Sequence, residues 1–144
     1  MSFSQVRTYI NSRISTTEPD LVEWQDAFNL ENIPTVLLNT RYHIQYGAAV
    51  SSTQIDKHIE DLFDITITIF KQGYNTENQA IDDLMDKAHC IRLDLINHQN
   101  LQTFGGDLLD FVSNSITPIP IAASNDNIIQ VQLNFNVRLT FAVN

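Results

Sequence analysis

From Ile129 to Val143, apolar side chains occupy every second position: Ile129, Val131, Leu133, Phe135, Val137, Leu139, Phe141 and Val143. Between them stand Gln130, Gln132, Asn134, Asn136, Arg138, Thr140 and Ala142. Neighbouring side chains of a strand point to opposite faces, so this alternation predicts one unbroken strand with a buried face and a wetter one. At about 3.3 Å per residue it reaches roughly 50 Å, more than twice an ordinary strand. Neither Gly nor Pro interrupts it, so any bend comes from twist or a bulge. Every backbone N–H and C=O along it needs a partner. The strand therefore requires neighbours along its whole length, or a partner chain beyond the edge of its own sheet. The second face carries amides more than charges, which suits a surface covered by something polar.

The 144 residues favour one domain, residues 1–144, able to bury roughly 68–70% of the unfolded chain's surface. No apolar run approaches the ~18–20 residues of a membrane span. Met1-Ser2-Phe3 leads straight into an amphipathic pattern, so no secretory leader is expected. The single Cys90 rules out an internal disulfide and fits a reducing compartment. Eight basic residues stand against seventeen acidic ones, a net charge of −9. Such a chain is not built to grip a phosphate backbone, which takes Lys and Arg. The charge fits a path along which nucleic acid slides without sticking, and equally fits simple solubility.

Earlier in the chain, Phe3, Val6, Ile10 and Ile14 recur at helical spacing, which predicts a helix over about Ser4–Ile14, capped by Ser2 or Ser4. Pro19 to Asn32 reads as an irregular arm that buries Trp24 and Phe28, or as a helix with Leu21, Trp24 and Phe28 on one stripe. Asn32-Ile33-Pro34 breaks the chain before a strand at Thr35–Thr40, and Tyr42, Ile44 and Tyr46 continue the alternation as far as Gly47. Ala48–Gln54 is small and polar, a flexible loop. Ile59–Lys71 is a second long strand, with Phe63, Ile65, Ile67 and Ile69 on one face and Asp64, Thr66 and Thr68 on the other. Ile81, Leu84, Met85, Ala88, Ile91, Arg92 and Leu95 trace one face of the main helix, which begins near Asn75 or Thr76 and ends near Asn97. Gly105-Gly106 lies in the connection that follows. Asp107 is then expected to cap a shorter helix carrying Leu108, Leu109, Phe111 and Val112. Ile116–Ile121 must be extended, because each of Pro118 and Pro120 drives its predecessor out of helical space. The predicted order is α, β, β, α, α, β. It makes an α+β domain with a mainly antiparallel or mixed sheet, helices packed on one face and a long C-terminal strand.

A search for chemistry returns little. His43, His58, His89 and His98 are scattered without metal-ligand spacing. Cys90 sits mid-helix in acidic company, where an inert buried or half-buried thiol is expected rather than an activated nucleophile. Asp82 and Asp86 share a helix face that reads as solvated. Gly105-Gly106 lacks the further Gly, the Lys and the preceding strand of a phosphate loop. Arg7 with Arg13 is thin for nucleic acid, and Trp24, Tyr42, Tyr46 and Tyr74 lack the cations that accompany base-stacking platforms. The residue reading therefore expects no catalytic, cofactor-binding or metal residues. The rival enzyme reading places a small cytoplasmic enzyme's site between the main helix and the sheet, drawing on Asp82, Asp86, His89 or Cys90.

Four segments resemble the tail terminator proteins of long-tailed bacteriophages. They are the helix Val6–Ile14, the strand entry Glu31-Asn32-Ile33-Pro34-Thr35-Val36, the run from Asp64–Phe70 through Asp82-Asp83-Leu84-Met85, and the closing strand Val131–Phe141. The likeness is one of element order, length and style. The Trp24–Phe28 segment has no counterpart in it. The resemblance implies a virion protein of the tail or neck, assembled in the host cytoplasm without a membrane. Its members form a homohexameric ring that caps the tail tube, stops its polymerisation and presents the surface that joins the head. It implies as partners the chain itself, the tail tube protein and a head-completion or connector protein, with genomic DNA passing through the lumen without specific binding. A neck, tail-completion or head–tail connector protein is the related alternative. Under this reading Gln130, Gln132, Asn134, Asn136 and Arg138 are the candidate subunit interface. The loop Ala48, Ala49, Val50, Ser51 and Ser52, short and uncharged here, faces the tube.

Overall fold

The alternating C-terminal stretch forms a 15-residue strand and lies inside the sheet rather than at its edge. The computed structural model describes residues 3–24, 40–51, 58–72, 77–98, 103–104, 107–120 and 128–142. In chain order these form α1 (Phe3–Thr17), β1 (Val22–Glu23), β2 (Arg41–Tyr46), β3 (Val50–Ser51), β4 (His58–Gln72), α2 (Glu77–His98), β5 (Thr103–Phe104), β6 (Asp107–Pro120) and β7 (Ile128–Ala142). The sheet order is β1-β2-β4-β7-β6-β5, with β3 added on β4. Only β1 and β2 run parallel; every other pairing is antiparallel. This is the expected α+β fold with a long C-terminal strand.

β7 finds its neighbours within the chain. Its register with β4 runs unbroken from His58↔Ala142 to Gln72↔Ile128, and β6 covers its other side from Leu108↔Thr140 to Pro120↔Ile129. Its odd positions from Ile129 to Leu139 are buried, and α2 packs over them. With Phe63, Ile65, Ile67 and Ile69 of β4 they join Ala80, Leu84, Ala88, Ile91 and Leu95 of α2 and Val6, Tyr9, Ile10 and Ile14 of α1 in one core. Fully burying an aliphatic or aromatic side chain contributes roughly 1.5–3 kcal/mol, so this two-layer stack of helices on one sheet face dominates the stability.

Polar contacts fix where α1 lies. Asn11 Nδ2 donates to the buried Glu23 carboxylate at 2.8 Å, Arg7 pairs with the same carboxylate, and the Tyr42 hydroxyl donates to Asn11 Oδ1. The Tyr46 hydroxyl donates to the Phe3 carbonyl at 2.9 Å, and the Phe3 and Tyr46 rings, tilted to each other, both meet Phe63 edge to face. Arg13 makes a forked pair with Asp94 of α2 at 2.8 and 2.7 Å, joining the two helices.

Three expectations are corrected. Asp107–Val112 is not a helix but the first half of β6, because the free side of β7 takes a strand there. The start of β6 also pairs with β5, Thr103 with Leu108 and Phe104 with Asp107. The Ala48–Gln54 loop is not wholly a loop: Val50 pairs with Leu62 and Ser51 with Asp61. Within Pro19–Asn32, Val22 and Glu23 form a parallel edge on Arg41 and Tyr42, and Trp24 is half-buried. Phe28 and the strand expected at Thr35–Asn39 lie outside the described residues.

Candidate functional site

Because both helices occupy one face of the sheet, its opposite face is left without a helix among the described residues. The registers set its side chains in cross-strand rows. Gln45, Thr66, Asn134 and Ser115 make one row across β2, β4, β7 and β6; Asp64, Asn136 and Ser113 make the next. Thr66 Oγ1 donates to Asn134 Oδ1 at 2.9 Å, and Asn136 Nδ2 donates to Asp64 Oδ1 at 3.0 Å. One row further, Arg138 of β7 bridges to Asp110 of β6 at 3.0 Å. Both side chains are about 40% exposed, and solvent-accessible pairs of this kind typically contribute under about 1 kcal/mol.

The five residues singled out on β7, Gln130, Gln132, Asn134, Asn136 and Arg138, therefore all lie on this face, each half-buried. They form one continuous line down the middle of the sheet, flanked by hydroxyls at Thr66, Thr68, Ser113, Ser115 and Thr117, by Asp64 and Asp110, and by Leu62, Phe70 and Ile119 toward its ends. A bulge in β6 between Phe111 and Ser113 puts Val112 out of register with β7. Beside it a shallow groove of about 360 Å³ opens between Asp64, Thr66, Asn134, Asn136, Ser113 and Ser115.

Where this face meets β1 it changes character. His43 is opposite Thr68, and both are buried. Neither ring nitrogen of His43 has a hydrogen-bond partner, nor does Trp24 Nε1. Burial, reinforced by the charge of Arg7, pushes the His43 pKa below its ordinary value. Sequence reasoning passed over His43. The signal was present, since the alternation of Tyr42, Ile44 and Tyr46 sends His43 to the other face, but nothing local says that this end of the face is buried.

The expected tube-facing loop is exposed at Ala48, Ala49, Val50 and Ser51, while Ser52 lies outside the described residues. Val50 stands opposite the exposed Leu62, and Ser51 Oγ donates to Asp61 Oδ1 at 2.7 Å. Gly47 donates its N–H to the Asp64 carbonyl at 2.7 Å, and a Cβ there would meet Asp64 Cβ at 3.2 Å, so the chain enters the loop tight against β4.

Asp82, Asp86, His89 and Cys90 all sit on the exposed side of α2, whereas the side against the sheet is Ala80, Leu84, Ala88, Ile91 and Leu95. They do not line a space between helix and sheet. Cys90 is exposed, not the buried or half-buried thiol expected, because a 100° step from the core residue Ile91 turns it outward. His89 Nδ1 lies 2.6 Å from the Arg92 guanidinium. Among the described residues no three His, Cys, Asp or Glu side chains are grouped to hold a metal ion, and no helix is long and apolar enough to cross a membrane. Comparison with known proteins returned no matching family model and no curated protein similar in sequence.

Proposed function

We propose that this chain is a structural assembly protein, a tail terminator of a long-tailed bacteriophage that caps the tail tube as a homohexameric ring. The supporting observation is the sheet face that no described helix covers: a half-buried line of Gln130, Gln132, Asn134, Asn136 and Arg138, bordered along its middle by Thr66, Thr68, Ser113, Ser115 and Thr117. Asn134 and Asn136 are hydrogen-bonded within the chain and Arg138 is paired with Asp110, so a second protein surface covers these three at low desolvation cost. The net charge of −9 agrees with a lumen that DNA traverses without being held. The resemblance adds the element order. Of the four segments that carry it, Val6–Ile14, Asp64–Met85 and Val131–Phe141 supply α1, the β4–α2 unit and β7.

In this role the ring stops tube polymerisation and presents the head-joining surface. Its partners are further copies of the chain, the tube protein and a head-side connector, in the tail or neck of the virion. The test is to add the purified chain to polymerising tail tube protein and measure tube lengths by electron microscopy. The reading expects tubes of bounded length with a ring at one end. Tubes that grow as they do without the chain, together with capture of a portal-side adaptor instead, would move it to the neck-connector reading.

A further inference from the structure

Two carboxylates stand beside the amide line of β7, and they are not equivalent. Asp110 opposes Arg138 across the β6–β7 ladder and pairs with it at 3.0 Å. Asp64 opposes Asn136 on the other side, where Asn136 Nδ2 donates to its Oδ1 at 3.0 Å. No cation pairs with Asp64 among the described residues.

Asp64 is open to approach. It is exposed, and the groove of about 360 Å³ lies between it and Ser113 and Ser115 of β6. On its other flank stands Gly47, whose N–H donates to the Asp64 carbonyl and which has no side chain to cover the carboxylate. A Cβ at Gly47 would lie 3.2 Å from Asp64 Cβ, so any larger residue would crowd it. The groove is shallow and small for a ligand pocket, which suits a single side chain better than a cofactor. Asp64 is the one charged residue that lines it.

We propose that Asp64 anchors the subunit interface and that its occupant is an arginine or lysine side chain of a second copy of this chain. The inference rests on the ring reading, which lays a neighbouring copy on this face. Covering a carboxylate strips away its water, a cost that only an opposite charge or further donors offset. Each copy carries a net charge of −9, so copies repel in general and associate where local charges are opposite. The chain has cations to offer. Four of its eight basic residues already pair with carboxylates: Arg7 with Glu23, Arg13 with Asp94, Lys71 with Asp83 and Arg138 with Asp110. Arg41, Lys87 and Arg92 have no carboxylate partner among the described residues, and Lys57 lies outside them. Acceptor and donor are then different patches of one chain, the heterologous kind of contact from which a ring closes.

The test is charge reversal with rescue. Association of the full chain is measured by sedimentation velocity and mass photometry, alone and on tail tubes, with circular dichroism checking the fold. Asp64→Lys is expected to weaken association by ~30-fold or more, as when one partner of a desolvated pair is lost. Combining it in turn with Arg41→Glu, Lys57→Glu, Lys87→Glu and Arg92→Glu should restore association in one of the four. Rings that form equally well in D64K overturn the inference and leave the ring reading standing. Loss in D64K with no rescue by any of the four overturns it too, because the cation is then not the chain's own. A wild-type chain that never associates, alone or on tubes, removes the ring reading and the inference with it. Should D64K fail to fold, Asp64→Asn decides, since its amide oxygen still accepts from Asn136: association must fall by ~5-fold or more, and an unchanged value overturns the inference.

Discussion

Thr66 and Asn134 face each other across the β4–β7 ladder, with the threonine hydroxyl donating to the amide oxygen at 2.9 Å. This contact lies on the sheet face that no described helix covers, one row from the Asn136–Asp64 contact. Replacing Asn134 and Asn136 together by Lys removes one neutral hydrogen bond at roughly 0.5–1.5 kcal/mol and one to the Asp64 carboxylate at roughly 1.5–3 kcal/mol, and plants two cations on the proposed subunit interface. The fold is expected to survive with a modest fall in Tm, while ring formation drops sharply. A melt alongside mass photometry separates the two effects. Rings that assemble as before would show this face to be ordinary solvent surface.

The two faces of β7 predict opposite sensitivities. Phe135 is fully buried against Phe111, with ring centroids 5.1 Å apart. Phe135→Ala is expected to cost about 3–5 kcal/mol. Thr140→Ala, half-buried on the opposite face, is expected to cost under ~1 kcal/mol. Urea unfolding midpoints read the difference, and comparable losses at both sites would contradict the two-faced assignment of the strand.

Arg13 and Asp94 tie α1 to α2 by a forked, mostly buried pair. The carboxylate's hydrogen bonds hold the Arg13 pKa above its ordinary value. Asp94→Ala is expected to destabilise by about 1.5–3 kcal/mol, as for hydrogen bonds between charged groups. A double-mutant cycle with Arg13→Ala should return a coupling energy of the same sign. A coupling indistinguishable from zero would mean that α1 is held by its buried face and its contacts with Glu23, Tyr42 and Tyr46, without help from this pair.

His43 makes stability depend on pH. Its folded pKa lies below its ordinary value because burial disfavours the imidazolium. The unfolded chain therefore binds the extra proton first. Stability is unaffected above about pH 6.5 and falls as the pH drops from there toward the folded pKa. His43→Phe removes both the titration and two unpartnered ring nitrogens. Denaturant titrations at pH 5 and pH 7.5 should show a smaller difference for H43F than for wild type. Equal differences would place the acid sensitivity elsewhere.

Much of this architecture was legible in residue spacing. Period two across Ile59–Lys71 and Ile129–Val143 marked β4 and β7 and named their buried faces. Period 3.6 across Ile81–Leu95 marked α2 and the side it turns to the sheet. These signals are strong because one face of each element is wholly apolar over four or more repeats, so a slip in register or period would expose all of it at once. The amide line on β7 was readable for the same reason.

Asp107–Val112 was not legible. An aspartate before Leu108, Leu109, Phe111 and Val112 satisfies a capped helical turn as well as a short strand, and local propensity does not separate them. The choice is made from outside: β7 has a second side whose backbone groups require a ladder, and β6 supplies it. In the same way spacing could give His43 a face but not its burial at one end of that face. The sequence by itself determined which residues are apolar together, and hence which strands and helices form and which way each one turns. Only the tertiary structure decided that β7 is a central strand, held between β4 and β6. Hydrogen-bond partners between strands are set by which segments meet in space, and no periodicity within one segment encodes that.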